Sequence, residues 1–256
     1  MPSNVNLRRT GDDDLLVLRF TNQTASEVSI LLPGGQNYNY GTFSFSLQSV
    51  AIYNGNGTLT SETLPDELVL GLFTFVGEDY VHHEVDIEIS TWNRTGDADV
   101  QFVIQKAVEE GDEFRFYSGI GETKYNQSGH WYNFTWDVDQ IEWTTTAGIP
   151  GQNNYSVTTV QAIEQDENDF IQCLPQEGLD VRINLWSQFG TNVTHGLDET
   201  DVCEVIIDNF VFMPMDDPLL LMPGESCSKH CQCRDEVCLN ESQVCGSDIF
   251  ARRENK

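Results

Sequence analysis

The chain has 256 residues, with 41 Asp and Glu against 13 Lys and Arg and a formal net charge of -28. Phosphate backbones and acidic membrane surfaces need a basic patch on their partner, so this balance argues against nucleic acid and points to a neutral ligand over sulfated or uronic chains. No apolar stretch approaches the roughly 20 residues that a bilayer-spanning helix needs.

In chain order, residues 1–14 read as a polar lead-in ending in Asp12-Asp-Asp14. No apolar run follows Arg8-Arg9, so the stretch lacks a signal peptide and the chain is expected to be a trimmed fragment. From Leu15 onward, short apolar or alternating runs recur at residues 15–20, 41–47, 68–76, 84–92, 100–105, 113–117, 131–138, 181–186 and 205–212, with Gly, Asn, Asp and Pro between them. The best helix candidate, residues 161–174, is short. Many short strands with no interleaved helices predict an antiparallel sandwich or barrel, and residues 15–224 are of a size to form one domain. After Pro223 the composition turns to Cys, Ser, Glu and Asn, marking residues 225–256 as a small appended tail.

The expected compartment is extracellular. N-glycosylation sequons stand at Asn22, Asn56, Asn93, Asn126, Asn133, Asn154, Asn192 and Asn240, where the residue frequencies predict about two or three by chance. Seven cysteines agree with an oxidising environment. Five of them, from Cys227 to Cys245, suggest disulfide stapling of the tail. With Cys173 and Cys203 in the main domain the total is odd, and spacing does not give the connectivity. His230 beside Cys231 and Cys233 leaves a zinc knuckle as the alternative reading of the tail.

The segment at residues 83–92 carries the chemistry. Glu84, Asp86, Glu88, Ser90 and Trp92 share one parity, while Val85, Ile87 and Ile89 share the other. In a strand, one face is then a ladder of three carboxylates leading to a Trp and the other face is core. Like charges at i, i+2 and i+4 repel, so at least one carboxyl should hold its proton beside ionised neighbours. Glycoside hydrolysis needs that division: one carboxylate to attack or to activate water, and one acid to protonate the leaving oxygen. A Trp on the same face offers a platform for a sugar ring.

Glu84-Val-Asp-Ile-Glu88 resembles the unbulged Glu-x-Asp-x-Glu motif of glycoside hydrolase family 16. Flanking segments are also similar to that family: Tyr40-Gly-Thr-Phe-Ser-Phe45, Trp131 through Trp143, Arg182-Ile-Asn-Leu-Trp186 and Val205 through Phe212. The resemblance spans roughly residues 38–213. It implies a concanavalin A-like, jelly-roll β-sandwich of two antiparallel sheets, here with a small disulfide-rich C-terminal tail, and retaining chemistry with Glu84 as nucleophile, Glu88 as acid/base and Asp86 as helper. It places Trp131, Trp136 and Trp143 in strands of the convex side, as core. No cofactor is needed for that chemistry, and the family implies one possible structural Ca²⁺ whose ligands are not assigned.

Two departures stand out. Thr42 and Ser44 occupy positions where many members place charged cleft residues, and the role of His82-His83 is unassigned. Asn184 and Trp186 share a parity with Arg182 and are candidates for sugar contacts beside Trp92, although Trp186 alternatively packs a sheet edge. The expected activity is hydrolysis or transglycosylation of a neutral β-linked polysaccharide, a β-glucan above others, by a secreted or cell-wall protein. The alternative is a silent carbohydrate-binding or structural wall glycoprotein on the same fold. In that reading the ladder holds Ca²⁺, or a glycan on Asn93 crowds the cleft beside Trp92.

Overall fold

The computed structural model describes residues 4–11, 13–21, 24–32, 38–78, 81–92, 100–106, 113–118, 130–137, 140–147, 156–163, 179–189, 197–215, 238–239 and 244–245. Every regular element among them is a strand. The first sheet runs β1 (Val5–Thr10), β2 (Asp13–Thr21), β14 (Val202–Pro214), β4 (Gly41–Tyr53), β10 (His130–Trp136), β11 (Gln140–Ala147) and β12 (Ser156–Ile163), with β5 (Leu59–Ser61) paired to β4. The second runs β3 (Ser26–Ile30), β13 (Asp180–Ser187), β6 (Leu68–Glu78), β7 (Val81–Ile89), β8 (Val100–Lys106) and β9 (Glu113–Ser118). All pairings are antiparallel. A small hairpin, β15 (Cys238–Leu239) and β16 (Val244–Cys245), lies in the tail. This is the antiparallel sandwich expected from the strand pattern, in the jelly-roll form that the family resemblance implies.

Period-2 alternation builds the core. In β10 every second residue from His130 to Trp136 is buried, and in β13 Val181, Ile183, Leu185 and Ser187 are. The inward rows meet between the sheets in one cluster, where Phe43 stacks on Phe134 at 4.8 Å and Phe102 on Trp143 at 5.7 Å. Burying each such side chain stabilises the fold by about 1.5–3 kcal/mol. In β14 the inward parity changes from Val205 and Ile207 to Phe210 and Phe212, and in β4 from Phe43, Phe45 and Leu47 to Val50 and Ile52. Paired register shifts explain this, since Ile207 faces Leu47 while Ile206 faces Ser49 and Asn209 faces Ser46. Each strand takes an extra residue there, which resets its faces.

Several expectations are corrected. The lead-in contributes an edge strand, because Arg8 and Arg19 both bond the carboxylate of Glu204, at 2.9 and 2.8 Å, and tie β1 and β2 to β14. The start of the helix candidate, Gln161 to Ile163, is the end of β12 paired to β11, and the rest of that candidate lies outside the described residues. Trp131 faces outward from β10 on the opposite parity to Trp136, which is core together with Trp143. Thr42 and Ser44 are also on the outer face of the first sheet, where Thr42 hydrogen-bonds Thr135 at 2.9 Å, so neither lines a cleft. Cys203 is free and buried in the core, and its burial pushes the thiol pKa up. Cys173, His230, the tail cysteines' side chains and the side chains of His82 and His83 lie outside the described residues.

The Glu204 cluster gives a stability prediction. Glu204→Gln removes the charge-assisted bonds to both arginines and is expected to lower stability by about 1–3 kcal/mol, discounted for the partly solvated arginines. A urea midpoint unchanged from wild type at equal m-value contradicts this.

Candidate active site

The carboxylate ladder sits in the middle of the second sheet, on the face away from the core. Val85, Ile87 and Ile89 of β7 are at most 1 % exposed on the core side, which fixes Glu84, Asp86 and Glu88 on the other. Trp143 reaches across the sandwich to donate its Nε1–H to the backbone carbonyl of Asp86 at 3.1 Å, anchoring β7 from behind.

Cross-strand register gives each carboxyl its own surroundings. Asp86 lies between Phe73 of β6 and Val103 of β8 and is 2 % exposed. Burial between these apolar neighbours pushes its pKa well above the ordinary 3.8, and the charges of Glu84 and Glu88 push it the same way. A side-chain hydrogen bond between the Asp86 and Glu84 carboxyl groups pushes it up as well. Gln105 donates Nε2–H to Asp86 Oδ2 at 3.0 Å, which partly opposes the upward shift. Glu84 is flanked by Phe75 and Gln105, and Glu88 by Gly71 and Gln101, whose Nε2–H donates to Glu88 Oε2. Neither glutamine was among the residues singled out from the sequence. Their signal is present, since Gln101, Val103 and Gln105 share the parity that lies beside the acidic face.

The bond between Asp86 and Glu84 also bears on distance. Cα atoms four residues apart on a strand are about 13 Å apart, whereas retaining carboxyl pairs stand about 5–5.5 Å apart. The hydrogen bond between Asp86 and Glu84 draws those two carboxyls together.

Asn184 and Trp186 lie on the same face, two strands away. The row Asn184, Gly71, Glu88, Gln101 crosses β13, β6, β7 and β8. A Cβ at Gly71 would sit 2.5 Å from Asn184 Oδ1, so glycine is what lets that amide lie flat against β6. Arg182, one row along, stacks over Phe75 at 4.5 Å and pairs with Asp180 at 3.2 Å and Glu27 at 3.5 Å. Its charge is thereby matched by carboxylates outside the ladder.

Trp92 is placed differently from the sequence expectation. β7 ends at Ile89, so strand parity does not carry Trp92; it stands in the left-handed region at φ 55°. For a bulky residue that conformation costs about 1–2 kcal/mol. Ser90 Oγ accepts the Trp92 N–H at 3.0 Å, and Thr91 donates to Asp66 Oδ1 at 2.9 Å, pinning the turn against the segment before β6. The result brings Trp92 edge-on to Trp186 with ring centroids 6.0 Å apart. The buried Trp92 Nε1, Gln101 Oε1 and Asn184 Oδ1 have no hydrogen-bond partner among the described residues. Two of these residues, Gln101 and Asn184, share the cross-strand row of Glu88, and buried polar groups left without a partner are typical of sites that take a polar ligand.

The family profile described as Glycosyl hydrolases family 16 matches residues 3–203. The chain belongs to this family. Among solved structures, the family 16 protein of the Bacteroides ovatus mixed-linkage glucan locus, in complex with a G4G4G3G product, is 13% identical with a TM-score of 0.51, covering 82% of this chain and 85% of that one. A prokaryotic β-1,3-1,4-glucanase from a mouse hindgut metagenome is 18% identical with a TM-score of 0.49, covering 83% and 84%. A Mycobacterium tuberculosis antigen described as a pseudo β-1,3-glucanase is 16% identical with a TM-score of 0.47, covering 81% and 77%. Among curated protein sequences none matches. At these identities the likeness establishes the family 16 fold alone. No group of three or more His, Cys, Asp or Glu able to hold a metal converges among the described residues, so the structure assigns no ligands to the Ca²⁺ that family 16 implies. No helix among the described residues is long and apolar enough to cross a membrane.

Proposed function

We propose that this family 16 chain is a secreted or cell-wall glycoside hydrolase that cleaves a neutral β-linked polysaccharide, a β-glucan above others, with retention. The observation that carries the reading is the buried Asp86 aligned between Glu84 and Glu88 on one face of β7, its carboxyl pKa pushed up by burial and by their charges. Glu84 attacks the anomeric carbon while Glu88 protonates the departing oxygen, which gives a glycosyl ester on Glu84 and a free sugar end. Glu88 then takes a proton from water as the water displaces Glu84, or from a sugar hydroxyl in transglycosylation. The O–H of Asp86 hydrogen-bonds Glu84 while it is a carboxylate and eases its departure in the second step. Gln101 fixes the rotation of the Glu88 carboxyl, and no step calls on a cofactor.

Sugar rings are held by Trp92 and Trp186, with Asn184 and Gln101 taking hydroxyls. Trp186→Ala is expected to raise KM about tenfold with kcat little changed, the loss of one stacking platform; an equal fall in kcat at constant KM would instead place Trp186 at the reacting centre. The reading as a whole is tested by reducing-end release from neutral β-1,3-, β-1,4- and mixed-linkage glucans, a galactan and a sulfated galactan. Turnover of a neutral glucan is expected. Binding of a glycan with no turnover of any of them would make the chain a carbohydrate-binding protein instead.

A further inference from the structure

The outer face of the first sheet holds a feature that the hydrolase does not use. On β10, Trp131, Asn133 and Thr135 alternate outward while Tyr132, Phe134 and Trp136 are buried. Asn133-Phe134-Thr135 is a glycosylation sequon, so one strand face carries in succession an indole, the acceptor amide and the sequon hydroxyl. The cross-strand neighbours of Asn133 are small, Ser44 on β4 and Thr144 on β11. Trp131 is the bulky residue beside Asn133 on this face, about 7 Å along the strand.

We propose that Asn133 carries an N-linked glycan whose first sugar lies against the Trp131 ring on this face. In the attachment step Asn133 Nδ2 attacks the anomeric carbon of a lipid pyrophosphate-linked oligosaccharide. An N–C bond forms, the sugar–oxygen bond breaks, lipid pyrophosphate leaves and one amide proton is lost. The remaining N–H still serves the contact seen here, in which Asn133 Nδ2 donates to the Thr144 carbonyl at 3.0 Å. Since Asn133 is half-buried and Thr135 Oγ1 is bonded to Thr42, the transfer takes place before β10 docks. The surroundings suit a neutral sugar, whose C–H face stacks on an aromatic ring while its hydroxyls meet hydroxyl and amide side chains. The inference rests on passage through a secretory pathway and is independent of whether the cleft hydrolyses glucan.

The test is glycopeptide mapping of the chain secreted from a eukaryotic host, together with melting of wild type and Trp131→Ala before and after enzymatic removal of N-glycans under native conditions. Occupancy at Asn133 is expected. Deglycosylation should lower the Tm of wild type by about 2–4 °C more than that of Trp131→Ala, because only wild type loses the stacked contact. Asn133 found unmodified in the secreted protein overturns the proposal, and so does an equal Tm loss in both proteins. The mapping is done on wild type, so the first arm stands even if Trp131→Ala folds poorly.

Discussion

Glu84→Gln and Glu88→Gln are each expected to lower kcat/KM on a soluble neutral β-glucan by at least about 10³-fold. Both side chains stand on the face away from the core, and Gln keeps their volume and part of their hydrogen bonding, so the melting temperature should change little. The two losses differ in kind. With Glu84→Ala, added azide takes the place of the nucleophile and a β-glycoside gives an α-glycosyl azide. With Glu88→Ala, azide attacks the glycosyl-enzyme and the azide formed is β. Azide products of the opposite configurations would exchange the roles of the two residues, and activity retained within tenfold in either Gln variant would remove that residue from the chemistry.

Asp86→Asn is expected to raise stability near neutral pH while cutting turnover about 10²-fold. Its folded pKa lies above the ordinary 3.8, so the folded state holds the proton more tightly than the unfolded chain does. Stability from this group is complete below the ordinary value and is lost as pH rises toward the folded pKa, at up to about 1.4 kcal/mol per pH unit. Asn mimics the protonated acid, accepting from Gln105 and donating to Glu84, but does not titrate, so the variant's stability should not fall over that interval. Urea unfolding at a series of pH values from 4 to 8 measures this directly. Parallel stability curves for the two proteins would show that Asp86 ionises normally in the fold. The loss of turnover follows because an amide cannot follow the changing charge on Glu84 through the two steps.

The acidic strand was legible because alternation is a strong constraint: once Val85, Ile87 and Ile89 are core, the carboxylates have only one face to occupy. Asn184 and Trp186 followed from the same rule applied to β13. What the alternation could not carry was any residue beyond a strand end or across an irregularity. Trp92 continued the parity on paper, yet β7 stops at Ile89 and a left-handed turn delivers the indole to Trp186. The paired extra residues in β4 and β14 likewise exchange inward and outward positions part-way along. Gln101 and Gln105 were passed over because an amide in an alternating strand is unremarkable until register sets it beside a carboxylate. The family resemblance makes Trp131 core along with Trp136 and Trp143, but burial follows parity, and its parity faces outward. The β1 strand was hidden because its stabilising partner, Glu204, lies 196 residues from Arg8.

The most direct test of the retaining two-carboxylate reading is proton NMR of the first products formed from a neutral β-glucan oligosaccharide by wild-type protein. The account predicts turnover in which the β-anomer of the new reducing end appears first and then mutarotates. A first-formed α-anomer would contradict the glycosyl ester on Glu84, and folded protein that binds the oligosaccharide without cleaving it would contradict the hydrolase itself.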